Sequence, residues 1–263
     1  MFQKKSLGQN FLKSEKALNE IIEASDIRST DTVLEIGPGE GVLTARILDK
    51  KPKRLMAVEK DDRLIPILEQ KFTEPIQRGD FSLVHADIID LFTKNEVNID
   101  KPFKIIANIP YYITGLIIRN IFSMQTLPDT VVLLVQKEVA DRIVDTEKNN
   151  LLRASITLYG DVKRISVVPK GAFVPAPNVD SAILRIQNIQ KVPSNEFEKT
   201  YFEIVKAAFA HKRKKASKNL AGILGISSTA WETVFAEFSL SKDVRPEDIS
   251  TDVYKQITNK VIH

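Results

Sequence analysis

The chain of 263 residues contains no cysteine. Disulfides, thiolate metal sites and cysteine nucleophiles are therefore excluded, and a reducing compartment is compatible. Its three histidines, His85, His211 and His263, are too scattered to suggest a metal cluster, so no metal is expected. Apolar runs are short, and none approaches the ~20 residues that a membrane-spanning helix requires. The opening segment, MFQKKSLGQNFLKS, lacks the apolar stretch of a secretion signal. No phosphate loop of the form GxxxxGK[ST] occurs, nor any internal repeat or low-complexity tract. These absences describe a cytoplasmic protein without membrane attachment. No spare apolar helix face stands out, and a monomer is expected.

Hydrophobic residues make up 43% of the chain and charged residues 27%, which suits a globular protein of one large domain with a small appendage. The formal net charge is +4, and the pI of about 9.0 favours a polyanionic partner. The distribution of charge is more informative. From residue 191 onward 12 Lys and Arg face 9 Asp and Glu, so +3 of the +4 lies in the last quarter. Within it, HKRKKASK (211–218) is the densest basic run.

Hydrophobic periodicity predicts alternating elements from residue 31 to about 144. DTVLEIG, RLMAVEKD, FSLVHADI, KIIANIP and TVVLLVQ read as strands, and EGVLTARILDK, RLIPILEQKF, TGLIIRNIF and KEVADRIV as helices. A further helix is expected over LKSEKALNEIIEAS, with Ser14 as N-cap and Ala17, Leu18, Ile21 and Ile22 on one face. Such alternation gives an α/β fold with a parallel sheet covered by helices. In DVKRISVVPKGAFVPAPNVDSAILRIQ, two β-rich runs flank a Pro/Gly/Asn segment and read as an antiparallel pair closing that sheet. KVPSN (191–195) reads as a linker, with only helical patterns after it, including RKKASKNLAGIL. A boundary near 190 is expected, dividing a domain over 1–190 from a small all-helical domain over 191–263.

Three strand ends carry chemistry. The first runs into EIGPGEG, where Gly37, Gly39 and Gly41 allow a sharp turn and close approach to a ligand. The third glycine of a dinucleotide fingerprint would fall at 42, where valine stands, which counts against NAD or FAD. Glu59 closes the second strand, where a carboxylate can accept from both ribose hydroxyls of a nucleoside. Asp87 closes the third, where a carboxylate can accept from an adenine amine. Either acid alone reads more readily as a solvated strand end, but at successive strand ends the group describes an adenosine site. The fourth strand ends in NIPYYIT (108–114). An adenine exocyclic amine is a poor nucleophile, because its lone pair is delocalised into the ring. The Asn108 side-chain oxygen and the Ile109 carbonyl could accept its hydrogens, with Pro110 stiffening the turn and Tyr111 stacking on the base. A sulfonium methyl donor such as S-adenosyl-L-methionine would complete that chemistry.

GQNFL (8–12), EIGPGEG (35–41), VEKD (58–61), ADI (86–88), NIPYYIT (108–114) and FVPAPNVDSAI (173–183) occur in this order at suitable spacings. The set resembles the ribosomal RNA adenine dimethyltransferases of the KsgA/RsmA type, a family that also holds the Erm-type large-subunit enzymes. The resemblance spans residues 4 to about 260. It implies a Rossmann-like class I methyltransferase sheet with a helical C-terminal domain. It also implies transfer of two methyls from S-adenosyl-L-methionine to N6 of each of two adjacent adenines, in a hairpin near the 3′ end of 16S rRNA. The partner would then be the small ribosomal subunit (30S or its precursor), with a role in ribosome biogenesis. By the same resemblance, cofactor contacts fall on Asn10, Leu12, Gly37, Glu59, Asp87 and Asn108. Target-base contacts fall on Asn108, Ile109, Tyr111 and Phe173, with Phe173 sandwiching the base against Tyr111. Many relatives carry asparagine where this chain has Tyr112, which is assigned no role. The basic run 211–218 is the expected rRNA backbone contact, whereas Trp231, Phe235 and Phe238 read as the core of the small domain. Three alternatives remain at this point: an Erm-like 23S rRNA methylase that confers antibiotic resistance, a DNA adenine methylase, and an assembly factor acting mainly by binding.

Overall fold

A computed structural model describes residues 10–109, 113–211 and 213–263. In chain order the elements are β1 (Phe11–Leu12), α1 (Glu15–Ser25), β2 (Thr32–Ile36), α2 (Val42–Asp49), β3 (Arg54–Glu59), α3 (Ile65–Lys71), α4 (Thr73–Arg78), β4 (Phe81–His85), α5 (Ile88–Thr93), β5 (Phe103–Asn108), α6 (Thr114–Phe122), β6 (Thr130–Gln136) and α7 (Lys137–Val144). There follow α8 (Leu151–Thr157), β7 (Asp161–Val168), β8 (Phe173–Val174), β9 (Ser181–Gln187), α9 (Asn195–Ala208), α10 (Ala216–Asn219), α11 (Ser228–Glu237) and α12 (Thr251–Ile262).

Seven strands form one sheet in the order β4-β3-β2-β5-β6-β9-β7. The first five are parallel, as their alternation with helices requires, and β9 and β7 close the sheet antiparallel. Val33, Leu34 and Ile36 of β2 are all buried, as are Ile105, Ile106 and Ala107 of β5. Both faces of a parallel sheet are covered, so these strands are mostly apolar rather than alternating, with Glu35 and Lys104 as the buried charged exceptions. The strand order reverses between β2 and β5. At such a switch point the carboxyl ends part and leave a crevice for a ligand.

α1 is held at its start by Ser14, whose side chain accepts from the Ala17 N–H. Its buried residues Ala17, Leu18, Ile21 and Ile22 join Ile106, Val132 and Leu134 of the sheet in one apolar cluster. At the opposite end of the sheet from the crevice, Lys104 is buried and forms an ion pair with Asp31 at 2.9 Å. The same ammonium donates to the Asp26 carbonyl at the end of α1. This ties β5 to both the helix and the start of β2.

Two features differ from expectation. First, the chain passes between two compact units three times rather than once near 190. One compact unit holds residues up to Asp141 together with Asp161–Ile189, and the other holds Arg142–Gly160 and Gln190–His263. α8 thus belongs to the helical unit, where the Tyr201 hydroxyl of α9 donates to the Ala154 carbonyl at 3.0 Å. Second, the helix expected over RKKASKNLAGIL is broken. Only the four residues of α10 are α-helical, and Gly222 and Gly225 take left-handed conformations.

The helical unit is built around Tyr201, Trp231, Phe235, Tyr254 and Ile257, all fully buried, with Phe238 half-buried. Ser194, Ser227 and Ser250 cap α9, α11 and α12 by accepting from the third N–H beyond each. In the basic run, Arg213, Lys214, Lys215 and Lys218 are exposed, with Lys215 paired to Asp243. Lys212 lies outside the described residues. Among the described residues, no helix is long and apolar enough to cross a membrane, and no cluster of His, Asp and Glu could hold a metal ion.

Candidate active site

A cavity of about 350 Å³ opens at the carboxyl ends of β2, β3, β4 and β5. Asn10, Leu12, Gly37, Glu59, Asp87 and Asn108, the six residues expected to hold a cofactor, all line it. The glycine turn forms its floor. Gly37 donates its N–H to the Val58 carbonyl at 2.9 Å, joining the end of β2 to β3. Gly39 and Gly41 have φ of +59° and +73°, a region in which side chains are strained. Space is tight at both positions as well, and at Gly41 it excludes a side chain. A Cβ on Gly39 would lie 3.0 Å from the Phe11 ring, and one on Gly41 would lie 2.5 Å from the Phe72 ring and 2.9 Å from Leu68. The turn therefore lies pressed between Phe11 on one side and α3 on the other. α2 follows Gly41 without a side-chain cap. Its first N–H groups lack intrahelical partners, and this end of a helix favours an anion such as a carboxylate.

Each acid has a distinct setting. Glu59 is 6% exposed. One carboxylate oxygen accepts from the Gly39 N–H at 3.1 Å and the other from the Asp61 N–H at 2.8 Å. Burial raises its pKa above the ordinary value, against the opposing pull of these N–H donors. A carboxylate offers about four acceptor sites, so capacity remains for ribose hydroxyls. Asp87 accepts from the Ile89 N–H at 2.9 Å, capping α5, and from the Lys60 ammonium at 2.6 Å. Burial alone would raise the Asp87 carboxyl, but Lys60 and the Ile89 N–H together outweigh it and hold it below its ordinary value. Sequence reasoning missed Glu35. It is 1% exposed, lines the cavity, and accepts from the Thr44 hydroxyl at 2.7 Å. Burial first, and then the nearby Glu59, push its pKa up to about 8, with Thr44 and Lys71 opposing. The signal for it was present: an acid within the apolar run VLEI can only be buried with that strand.

Asn108 ends β5 in the cavity wall, and its side-chain N–H donates to the Asn10 carbonyl at the long distance of 3.5 Å. This turns the amide nitrogen toward the strap at 10–12 and leaves the amide oxygen as an available acceptor. Ile109 lines the same cavity and is 3% exposed. Pro110 and Tyr111, the other two residues expected in this turn, lie outside the described residues, as does Tyr112.

The strap at 10–12 reads from sequence as a loop leading into α1. It is a strand: Phe11 pairs with Val174 and Leu12 with Phe173, antiparallel, and the Lys13 N–H donates to the Ala172 carbonyl at 2.8 Å. Lys13 also forms an ion pair with Glu40 of the glycine turn. The ladder sets which way Phe173 faces. Successive strand residues face opposite ways, and here Phe173 points inward at 2% exposure while Val174 points out at 55%. The Phe173 ring packs in the apolar cluster with Leu12 and Leu18.

The parallel sheet, its antiparallel closing strands, the glycine turn and the strand-end acids define a class I methyltransferase. The residues present fit S-adenosyl-L-methionine: a carboxylate for the ribose, a second for the adenine edge, apolar walls from Ile36, Val58 and Ile88, and acids suited to a cationic ligand. The family model for ribosomal RNA adenine dimethylase matches residues 2–261, and the chain belongs to that family. It is a methyltransferase that uses S-adenosyl-L-methionine. A ribosomal RNA small subunit methyltransferase A of Dehalococcoides mccartyi is 39% identical over 97% of this chain and 87% of its own length. One of the same name from Mycoplasma mobile is 36% identical over 96% of this chain and 95% of its own. In fold, the chain matches a dimethyladenosine transferase from Plasmodium falciparum with a TM-score of 0.78 at 23% identity, covering 95% and 98% of the two chains. It matches the 23S rRNA methyltransferase ErmE with a TM-score of 0.77 at 22% identity, covering 97% and 100%.

Proposed function

We propose that this chain dimethylates N6 of two adjacent adenines in a hairpin near the 3′ end of 16S rRNA. It would do so on the small ribosomal subunit or its precursor, as a monomer in the cytoplasm. The observation that carries this reading is the position of Asn108 in the wall of the cavity that Gly37, Glu59 and Asp87 also line. On this reading an amide acceptor would stand beside the methyl donor. The sequence relatives that share most of this chain's length carry a small-subunit name, which favours that target over the Erm alternative.

When bound, S-adenosyl-L-methionine supplies an electrophilic methyl on a positively charged sulfur. The chain's part is to make a poor nucleophile adequate. The Asn108 amide oxygen and the Ile109 carbonyl would accept the two amine hydrogens and favour a lone pair localised on nitrogen. A neutral amide suits this role, because no proton need leave before attack. Tyr111 would stack on the base. Catalysis is then positioning and fixed dipoles rather than acid–base chemistry. The exposed Arg213, Lys214 and Lys218 would meet the RNA backbone.

Labelled methyl transfer to three substrates side by side tests the proposal: small subunits lacking the modification, large-subunit rRNA, and duplex DNA. Dimethyladenine on small subunits alone is expected. Label on large-subunit rRNA or on DNA refutes the target assignment, and cofactor binding without transfer leaves an assembly factor.

A further inference from the structure

The acids around the cavity are not equivalent in how their charge is met. Asp87 has the Lys60 ammonium at 2.6 Å, and Glu40 has Lys13. Glu59 accepts from two main-chain N–H groups. Glu35, the most deeply buried of them, receives a single neutral hydroxyl from Thr44, and among the described residues it forms no ion pair. The groups facing it come from each neighbouring element. Across β2 its strand partners are Ala57 on β3 and Ile106 on β5, neither titratable. β3 adds Glu59, a like charge, α2 adds Thr44, and α3 adds Lys71 at longer range. The Lys71 ammonium is bonded to the carbonyls of Glu40 and Gly41 at 2.9 and 3.2 Å. A buried carboxylate without a cation is costly and stays protonated until one arrives. The ligand reaching this wall carries the missing charge: S-adenosyl-L-methionine has a net charge of +1, and its thioether product has none.

We propose that Glu35 is a proton-linked counter-charge for the sulfonium, protonated in the cofactor-free protein, ionised beside the cationic cofactor, and protonated again beside the neutral product. The proton leaves the Glu35 carboxyl for solvent when the cation binds, and one returns from solvent after the methyl has gone. Glu35 is thereby a specificity residue that favours substrate over product more strongly as pH rises. The inference rests on the reading of the cavity as the S-adenosyl-L-methionine site.

Titration calorimetry of the full chain tests it, in buffers of differing ionisation enthalpy, with S-adenosyl-L-methionine and S-adenosylhomocysteine as ligands. With Glu35 titrating at about 8, roughly 0.9 protons per site are expected to be released at pH 7 on binding the cationic ligand, and clearly fewer with the thioether. Affinity for the cationic ligand is expected to rise by up to about tenfold per pH unit between pH 6 and 8. The ligands' own amino groups differ in basicity, because the sulfonium withdraws electrons, so the share of each is measured on the free ligand and subtracted. Glu35→Gln removes the difference between the ligands. Thr44→Val, which keeps the carboxyl but removes its donor, moves the release profile to higher pH. Equal release with both ligands, a difference that survives Glu35→Gln, or a profile unmoved by Thr44→Val overturns the proposal. Absence of any binding heat removes the cofactor reading, and the inference with it.

Discussion

Replacing Gly41 by alanine separates two reasons for a glycine, because Gly79 offers the matching control. Both residues lie in the sheet-bearing unit, with φ of +73° and +81°. A Cβ at Gly79 meets nothing within 4 Å, whereas one at Gly41 would sit 2.5 Å from Phe72 and 2.9 Å from Leu68. The left-handed backbone costs about 1–2 kcal/mol for a residue with a Cβ, and both variants bear it. Overpacking adds about 1–3 kcal/mol at Gly41 alone. Phe72 has little freedom to yield, since its ring is wedged edge-on against Phe81 at 5.4 Å. The expected losses are thus about 1–2 kcal/mol for Gly79→Ala and about 2–5 kcal/mol for Gly41→Ala. With a urea dependence of about 2 kcal/mol/M, these become midpoint shifts of about 0.5–1 M and 1–2.5 M in urea unfolding followed by far-ultraviolet circular dichroism. Calorimetry should also show weaker cofactor binding in Gly41→Ala, because relief of the overlap must move the turn or α3. Equal midpoints for the two variants, with cofactor affinity intact, would refute the argument that close packing fixes this turn.

Asn108→Ala should lower the rate of methyl transfer by about 10²-fold or more, the usual effect of removing one fixed dipole, while subunits are still bound in sedimentation assays; normal transfer would sink the amide mechanism. Lys104→Met leaves the buried Asp31 without its cation and should cost about 3–5 kcal/mol in urea unfolding. Glu35 bears on stability as well. Its folded pKa of about 8 lies above the ordinary 4.5, so the folded state holds the proton more tightly. Its contribution is full below pH 4.5 and is lost as pH rises toward 8, by on the order of 3–5 kcal/mol in cofactor-free protein. Glu35→Gln should flatten that slope in denaturation curves measured across the range. Changing Arg213, Lys214 and Lys218 to glutamine should reduce the salt dependence of rRNA binding by about 0.7–0.9 in log–log slope for each phosphate no longer neutralised. An unchanged slope would place the RNA elsewhere.

The sheet and the cofactor residues were legible because the information is local. Glycine after an apolar run, and acids closing the next two, identify strand ends within a few residues of themselves, and the cavity is where those ends meet. What was not legible depends on distant partners. Leu12 and Phe173 make a two-residue ladder across most of the sheet-bearing unit, too short to leave a periodic trace. Its register, invisible locally, decides that Phe173 faces inward. α8 is only seven residues long, and its buried residues Ala154 and Ile156 have no helical spacing that would say which core buries them. The break after α10 follows from Gly222 and Gly225, whose left-handed backbones outweigh the helical spacing of the apolar residues around them.

The β1–β8 ladder also sets a timetable. A chain emerging from synthesis has the glycine turn, the acids and Asn108 once it has passed residue 108, yet the strap at 10–12 has no partner until residue 174 is made. β6, too, keeps an unpaired edge until Ser181–Gln187 arrives to lie beside it. Closing so long a loop is slow relative to forming the parallel strands that precede it. The roof of the methyl-donor cavity is therefore the last part of its wall to be completed. A nascent chain that ends between β6 and β8 should hold every cofactor residue inferred from sequence and still lack the ladder that fixes the strap over the cavity.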